Sequence, residues 1–324
     1  MIGVGGLGSP AALYLAAAGV GTIGLVDDDV VSISNLQRQV LYDTESAGHK
    51  KVDEAQKRLK ALNPTIQIKT YGQTLNRENA RALFAAYDLV LDGTDNFKTR
   101  YLISQACLAT GKPHVYAGIF RFEGQVAIFK PGKGACYRCL FPQTPAPSEI
   151  PNCSEAGVLG ALPGIIGSVQ ALEALKYILQ FKAARTSQLF VFDALSLESR
   201  TLNISRRADC LHCAPNAPLF DDVSATAEDP IEILQRQKQI DTAPSFDSAT
   251  IWIDVRSEEE FAQSHRPGAR NIPLTRLADE LANLDRSQTY VIYCASGQRS
   301  LQAQSLLLRQ GFSDVWNLRR GLVL

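Results

Sequence analysis

The sequence predicts an α/β protein in two parts, a doubly wound, mainly parallel sheet with an antiparallel extension and, after it, a smaller α/β unit. Three observations carry this prediction. Short apolar strands alternate with helical segments as far as Tyr116, consecutive strands replace the alternation after Gly118, and a proline-bearing acidic stretch near Pro230 precedes a fresh alternation. A chain of 324 residues also exceeds what one hydrophobic core usually serves.

The elements follow in order. Gly3-Val4-Gly5-Gly6-Leu7-Gly8 runs into the small, helix-favouring residues Ser9 to Ala18, and Thr22 to Val26 reads as a buried strand ending in Asp27-Asp28-Asp29. Strand, glycine turn, helix and strand in that order give a Rossmann-like opening. Helices are expected at Lys50 to Leu62, Arg77 to Ala86 and Phe97 to Thr110, with strands at Ile66 to Tyr71, Leu89 to Leu91 and His114 to Tyr116. Gly124 to Lys130 and Gln188 to Thr201 read as strands around a long helix, Leu162 to Gln180, which supplies the antiparallel extension. Four prolines between Phe141 and Asn152 rule out a helix or central strand there and predict a surface loop. The second part is expected to hold helices at Pro230 to Gln239, Glu258 to Gln263 and Ser300 to Gln310, and strands at Thr250 to Val255 and Tyr290 to Tyr293.

Composition excludes several classes. Apolar residues make up 45% of the chain, charged residues 20%, and the formal net charge is zero, so nothing favours a nucleic-acid partner. Apolar stretches such as Leu13 to Val20 are too short to span a bilayer, and the expectation is a cytoplasmic protein without a membrane partner. In that compartment the seven cysteines are expected as metal ligands or catalysts rather than disulfides.

The glycine turn, with Gly3, Gly5, Gly6 and Gly8, suits a phosphate at a helix N-terminus, and Asp27 suits a ribose; a nicotinamide dinucleotide and ATP share both features. The following residues separate them. Asp27-Asp28-Asp29, Asn35, Arg38, Lys51 and Asp92-Gly93-Thr94-Asp95-Asn96 supply two cations and strand-end carboxylates, the set that a triphosphate with Mg²⁺ needs. These segments resemble the activating-enzyme family of MoeB and ThiF, relatives of the ubiquitin-activating enzymes, from Ile2 to Cys213. The resemblance implies that Gly5, Asp27, Asn35, Arg38, Lys51, Asp95 and Asn96 contact ATP. Asp27 would hold the ribose, Arg38 and Lys51 the phosphates, and Asp95 the Mg²⁺.

Cys136-x-x-Cys139 and Cys210-x-x-Cys213 each suit half of a closed, structural zinc site, with four metal-free thiols or His212 in place of one cysteine as alternatives. Both knuckles match the family's Zn²⁺ site. Cys153 follows the proline-rich loop and resembles the family's crossover-loop cysteine, which implies a part in acyl hand-over or product release. Cys107, among Ile103, Ala106 and Leu108, reads as core.

Cys294-Ala295-Ser296-Gly297-Gln298-Arg299-Ser300 joins the strand ending at Tyr293 to a helix, so backbone amides would surround the sulfur, with Arg299 adding a cation. A phosphatase loop would place five residues between cysteine and arginine, whereas four intervene here. With Asp254-Val255-Arg256 and His265 to Pro273, the segment from Asp229 to Gly321 resembles a rhodanese domain.

Together the resemblances imply an adenylation domain at 1–214, a linker at 215–228 and a rhodanese domain at 229–324. They imply ATP-dependent adenylation of the C-terminal glycine of a ubiquitin-like sulfur-carrier protein ending in Gly-Gly, then sulfur transfer from a Cys294 persulfide. Molybdopterin synthesis is the expected pathway; thiamine, cysteine or thiolated-tRNA synthesis are alternatives. A cysteine desulfurase or thiosulfate would be the sulfur donor, and the enzyme would be a homodimer. Family members carry a full first strand and an arginine-bearing segment before the glycine turn and a glycine pair near the C-terminus. Met1-Ile2 and Arg319-Arg320-Gly321 stand at those places, so a shortened central strand and a truncated reading frame are expected. A carrier-binding protein without activity and an NAD-dependent oxidoreductase are the rival readings.

Overall fold

The computed structural model describes residues 1–143, 159–182, 184, 186–215, 217, 220, 238–241, 250–319 and 321, in two compact units, Met1–Val223 and Ser224–Leu324.

In the first unit the helices are α1 (Gly8–Ala17), α2 (Lys51–Leu62), α3 (Arg77–Ala85), α4 (Phe97–Thr110), α5 (Tyr137–Leu140) and α6 (Ala161–Ile178). The strands are β1 (Thr22–Val26), β2 (Gln67–Tyr71), β3 (Val90–Asp92), β4 (His114–Phe120), β5 (Glu123–Phe129), β6 (Gln188–Asp193) and β7 (Ser199–Asn203). β1 pairs with β2 and β3 with β4 in parallel, whereas β4, β5, β6 and β7 run antiparallel in sequence order, as the loss of crossover helices after Gly118 predicts.

A single residue joins the two halves of this sheet. Ile2 bridges Val26 of β1 and Asp92 of β3, both in parallel. Its amide donates to the Leu91 carbonyl (2.9 Å), its own carbonyl accepts from the Gly93 amide (2.8 Å), and the Gly3 amide donates to Val26 (2.8 Å). The spatial order is therefore β2, β1, Ile2, β3, β4, β5, β6, β7. The point where strand order reverses, which in such sheets opens a ligand crevice, lies at the glycine turn.

Local chemistry fixes the elements that frame this crevice. Gly3 has φ +82°, and a Cβ on Gly8 would strike the Gly3 carbonyl oxygen, so only glycines allow the turn to fold this tightly onto α1. Asn96 caps α4 by accepting the Thr99 amide (2.9 Å), and Gly111 in the left-handed region ends it. α1 and α6 cover one face of the sheet, where Ala11, Ala12 and Leu15 meet Ala171 and Ala174 around Leu25 and Val115. Buried Gln170 of α6 donates to the carbonyls of Asp92 and Val115 (both 2.8 Å), which satisfies two strand ends that water cannot reach.

The second unit is a five-stranded parallel sheet in the order β10 (Arg270–Asn271), β9 (Ile251–Asp254), β11 (Tyr290–Tyr293), β12 (Val315–Leu318), β8 (Gln239–Ile240). Its helices are α7 (Glu258–Gln263), α8 (Leu277–Glu280) and α9 (Gln298–Arg309). Two expectations need correction, and three elements are additional. Gln239 is not helical but begins β8, because the amides of Asn317 and Arg319 donate to the carbonyls of Lys238 and Ile240. β12, β10 and α8 have no counterpart in the sequence reading. α9 begins at Gln298, before Ser300, directly behind the Cys294 turn. Residues 144–158, with most of the proline-rich loop and Cys153, and residues 230–237 of the expected helix lie outside the described residues.

Candidate active site and sulfur loop

The crevice at the reversal point is a cavity of about 360 Å³. It brings together Gly3, Gly5, Gly6, Asp27, Asp29, Arg38, Lys51, Asp95 and Asn96. Among the described residues its wall does not include Gly8, the first residue of α1, which packs on the Gly3 carbonyl, or Asn35, which lies in the 3₁₀ turn Ile33–Asn35.

Several of these side chains have structural work as well. Asp27, at the end of β1, accepts the Val4 amide on Oδ2 (2.8 Å) and the Asp29 amide on Oδ1 (3.0 Å). Burial raises its pKa, against the pull of the Val4 amide and of Lys51. Each of its oxygens keeps a lone pair for a further donor. Lys51 Nζ donates to Asp29 Oδ2, Arg38 Nη1 donates to the Ser34 carbonyl (3.4 Å), and the Asn96 amide oxygen is held by its helix cap. Asp95 is exposed at the cavity edge.

Arg100 also lines the cavity, and the sequence reading missed it. It is buried, donates through Nη2 to the Thr94 carbonyl (2.6 Å) and lies over the rings of Tyr116 and Phe97. Its spacing four residues after the Asn96 cap, one helical turn, was the available signal. Beneath the loop Gly93 to Asn96, Asp92 is fully buried and accepts the Thr94 amide (3.0 Å) and hydroxyl (2.7 Å) and pairs with His114 Nε2 (3.1 Å). Burial opposes its ionisation, but His114, Arg100 and Thr94 outweigh that and hold its pKa below the ordinary carboxylate value.

The two knuckles converge. The Sγ atoms of Cys136, Cys139, Cys210 and Cys213 all lie within 4.8 Å of one another, with Cys136 to Cys210 at 3.6 Å and Cys139 to Cys213 at 3.4 Å. Zinc–sulfur bonds of about 2.3 Å in a tetrahedron give sulfur separations of about 3.8 Å, in the middle of the spread seen here, so the donor set suits Zn²⁺. His212 faces elsewhere, accepting from Arg138 Nη1 through Nε2 (3.1 Å), which removes it as a replacement ligand. Cys107 is buried among Ile103, Ala106 and Val90, and burial pushes its pKa well above the ordinary thiol value.

In the second unit Cys294 directly follows β11, the central strand, and is fully buried. Its Sγ accepts the Gly297 amide (3.1 Å) and the Ser300 hydroxyl (3.5 Å). Burial works against the thiolate, but the Ser300 hydroxyl and the amides of Ser300, Ser296 and Gly297 together lower the pKa. Gly297 has φ +84°, and a Cβ there would strike the Arg319 carbonyl oxygen, while one on Gly321 would strike that of Ala295. The turn after β12 therefore clamps the cysteine loop backbone to backbone. Arg299 is held by Glu260, and Arg256 is bound to buried Asp254.

Comparison with known proteins gives concordant matches. Residues 1–212 match the ThiF family and residues 235–324 the rhodanese-like domain. The probable adenylyltransferase/sulfurtransferase MoeZ of Mycobacterium tuberculosis is 40% identical over 100% of this chain and 85% of its own length. The sulfur carrier protein adenylyltransferase of Thermus thermophilus is 47% identical over 66% of this chain and 80% of its own length. The probable molybdopterin-synthase adenylyltransferase of Porphyra purpurea is 37% identical over 97% and 83%. The crystal structure of E. coli MccB with ATP aligns with a TM-score of 0.56 at 21% identity, covering 65% of either chain, a likeness of fold. No helix among the described residues is long and apolar enough to cross a membrane. The chain belongs to the ThiF family and carries a C-terminal rhodanese-like domain.

Proposed function

We propose that this chain is an adenylyltransferase and sulfurtransferase that activates the C-terminal glycine of a ubiquitin-like sulfur-carrier protein and sulfurates it, most simply for molybdopterin synthesis. The observation that carries the proposal is the convergence of Asp27, Arg38, Lys51 and Asp95 on one cavity at the reversal point of the sheet. The names of the relatives support the same chemistry.

A carboxylate oxygen of the carrier's terminal glycine attacks the α-phosphorus of ATP, and pyrophosphate leaves as the acyl-adenylate forms. Arg38 and Lys51 neutralise the charge that builds on the phosphates, and Asp27 accepts from the ribose hydroxyls. Asp95, an exposed oxygen donor at the cavity edge, suits Mg²⁺, which when bound would screen phosphate charge. The terminal sulfur of a Cys294 persulfide then attacks the acyl carbon, AMP departs, and an acyl disulfide joins carrier to Cys294. A second thiol, which we assign to Cys153, attacks the Cys294 sulfur. A protein disulfide forms and the carrier leaves as a thiocarboxylate. The working enzyme is a cytoplasmic homodimer in this reading, with domains at 1–214 and 229–324 and zinc as a structural brace.

Pyrophosphate exchange into ATP, dependent on a carrier ending in Gly-Gly, tests the first half; its absence would sink the adenylation reading. Thiosulfate-to-cyanide transfer surviving Cys294→Ala would exclude Cys294 as the sulfur carrier.

A further inference from the structure

We infer that Glu260 is a positioning residue for sulfur delivery, holding Arg299 beside the loop that cradles Cys294 so that the guanidinium receives an anionic group on the molecule that brings sulfur. The inference rests on the reading of Cys294 as the sulfur-carrying residue and assigns a helix residue outside the cysteine loop to that site.

The contact is a two-point fork. Arg299 Nη1 donates to Glu260 Oε2 at 2.6 Å and Nη2 to Oε1 at 2.7 Å, a planar match that fixes both the place and the tilt of the guanidinium. Glu260 is itself fixed from behind. Its amide donates to Ser257 Oγ (3.3 Å) and its Oε2 accepts the Ser257 amide (3.0 Å), the reciprocal cap of α7. The chain of contacts thus runs from the rigid start of a helix through one carboxylate to Arg299.

In the chain Arg299 stands between the two residues that reach the sulfur, Gly297 through its amide at 3.1 Å and Ser300 through its hydroxyl at 3.5 Å. Glu260 raises the basicity of Arg299, against the effect of partial burial. The pair is 31% and 36% exposed, and ion pairs that open to water add little stability, so what this one supplies is geometry. The groups that stabilise the thiolate, the Gly297 amide and the Ser300 hydroxyl, are directed at the sulfur itself. Arg256 is not a substitute, being forked onto buried Asp254 and the Ser264 carbonyl. Among the described residues Arg299 is the cation placed to meet a thiosulfonate, sulfonate or carboxylate group beside Cys294.

The test uses the full chain and two alkylating probes of nearly equal shape, anionic iodoacetate and neutral iodoacetamide, with the Cys294 product quantified by mass spectrometry. The wild-type ratio of the two rates should fall about fivefold or more in Arg299→Ala, on the scale of one charge-assisted hydrogen bond at a solvated site. Glu260→Ala should lower it by the same factor, and Arg299→Ala with Glu260→Ala should lower it no further, since Glu260 acts through Arg299. Glu260→Gln, which keeps the α7 cap and half of the fork, should give an intermediate ratio and carries the test if the alanine variant fails to fold. A change in the thiolate fraction moves both probes alike and cancels in the ratio. A ratio unchanged or raised by Glu260→Ala, or additive effects of the two substitutions, would overturn the inference. Because the ratio is read on Cys294 itself, it is separate from whether sulfur passes through Cys294, which Cys294→Ala reports.

Discussion

The Lys51 ammonium, 6% exposed, lies 2.8 Å from the Asp29 carboxylate, which is 70% exposed. A nearly buried cation whose ion-pair partner stands in water is poised to exchange that partner for a phosphate oxygen in the same cavity. Lys51→Met, which keeps the stem and removes the charge, should lower carrier-dependent pyrophosphate exchange by about 10-fold to 100-fold, the scale of one lost hydrogen bond to a charged group. The kcat/KM for ATP measures it, and an unchanged value would remove Lys51 from the site.

Zinc should bind one per chain and brace the first unit. Cys210→Ser should abolish the bound zinc and lower the Tm of the wild-type holoprotein by several degrees, while Cys107→Ser leaves the zinc content unchanged, since Cys107 lies in the apolar cluster below α4. Atomic emission analysis beside a melting curve gives both numbers.

Gly321→Ala should damage the sulfur loop without touching a side chain in it. The new Cβ would drive into the carbonyl of Ala295 at a residue with φ +70°, so the loop amides shift and Cys294 loses its cradle. The expected result is a Cys294 alkylation profile displaced to higher pH, with a slower rate at pH 7. A profile identical to wild type would show that the clamp is not needed.

Glu260 also predicts a small contribution to the stability of the second unit that acid removes. Arg299, opposed by partial burial and aided by the Ser257 amide, pushes its pKa down to about 2 from 4.5. A depressed carboxylate stabilises the fold above the unfolded value and loses that contribution as pH falls through the folded one. The Glu260 share of stability is thus fully present above pH 4.5 and fades between there and pH 2. Urea titrations at pH 6 and pH 3 should show a smaller difference for Glu260→Gln than for wild type.

The sequence exposed the parts of this molecule in which local chemistry and tertiary structure agree. Gly3 to Gly8, the strand-end Asp27, the two cysteine knuckles and Cys294 announce themselves because each requires a residue type at a fixed spacing. What it concealed was set by pairing at a distance. Val315–Leu318 carries a buried Asn317 and too few residues for a periodic signal, and Gln239 is drawn out of a helical pattern by β12. The same holds in the site. That Asp27 binds backbone amides, that Asn96 is spent on a cap and that Glu260 reaches Arg299 across 39 residues depend on neighbours that only the folded chain supplies.

Ile2 makes the crevice a mechanical unit. The rung that it forms is the seam between two half-sheets, and the two loops that line the cavity, Gly3 to Gly8 and Gly93 to Asn96, leave from either side of it through the bonds of Ile2 to Leu91 and Gly93. Neither loop can move at its root without the other. A ligand gripped by both loops would stitch the half-sheets together, so hydrogen exchange at the Gly3 and Gly93 amides should slow in step when the cavity is filled.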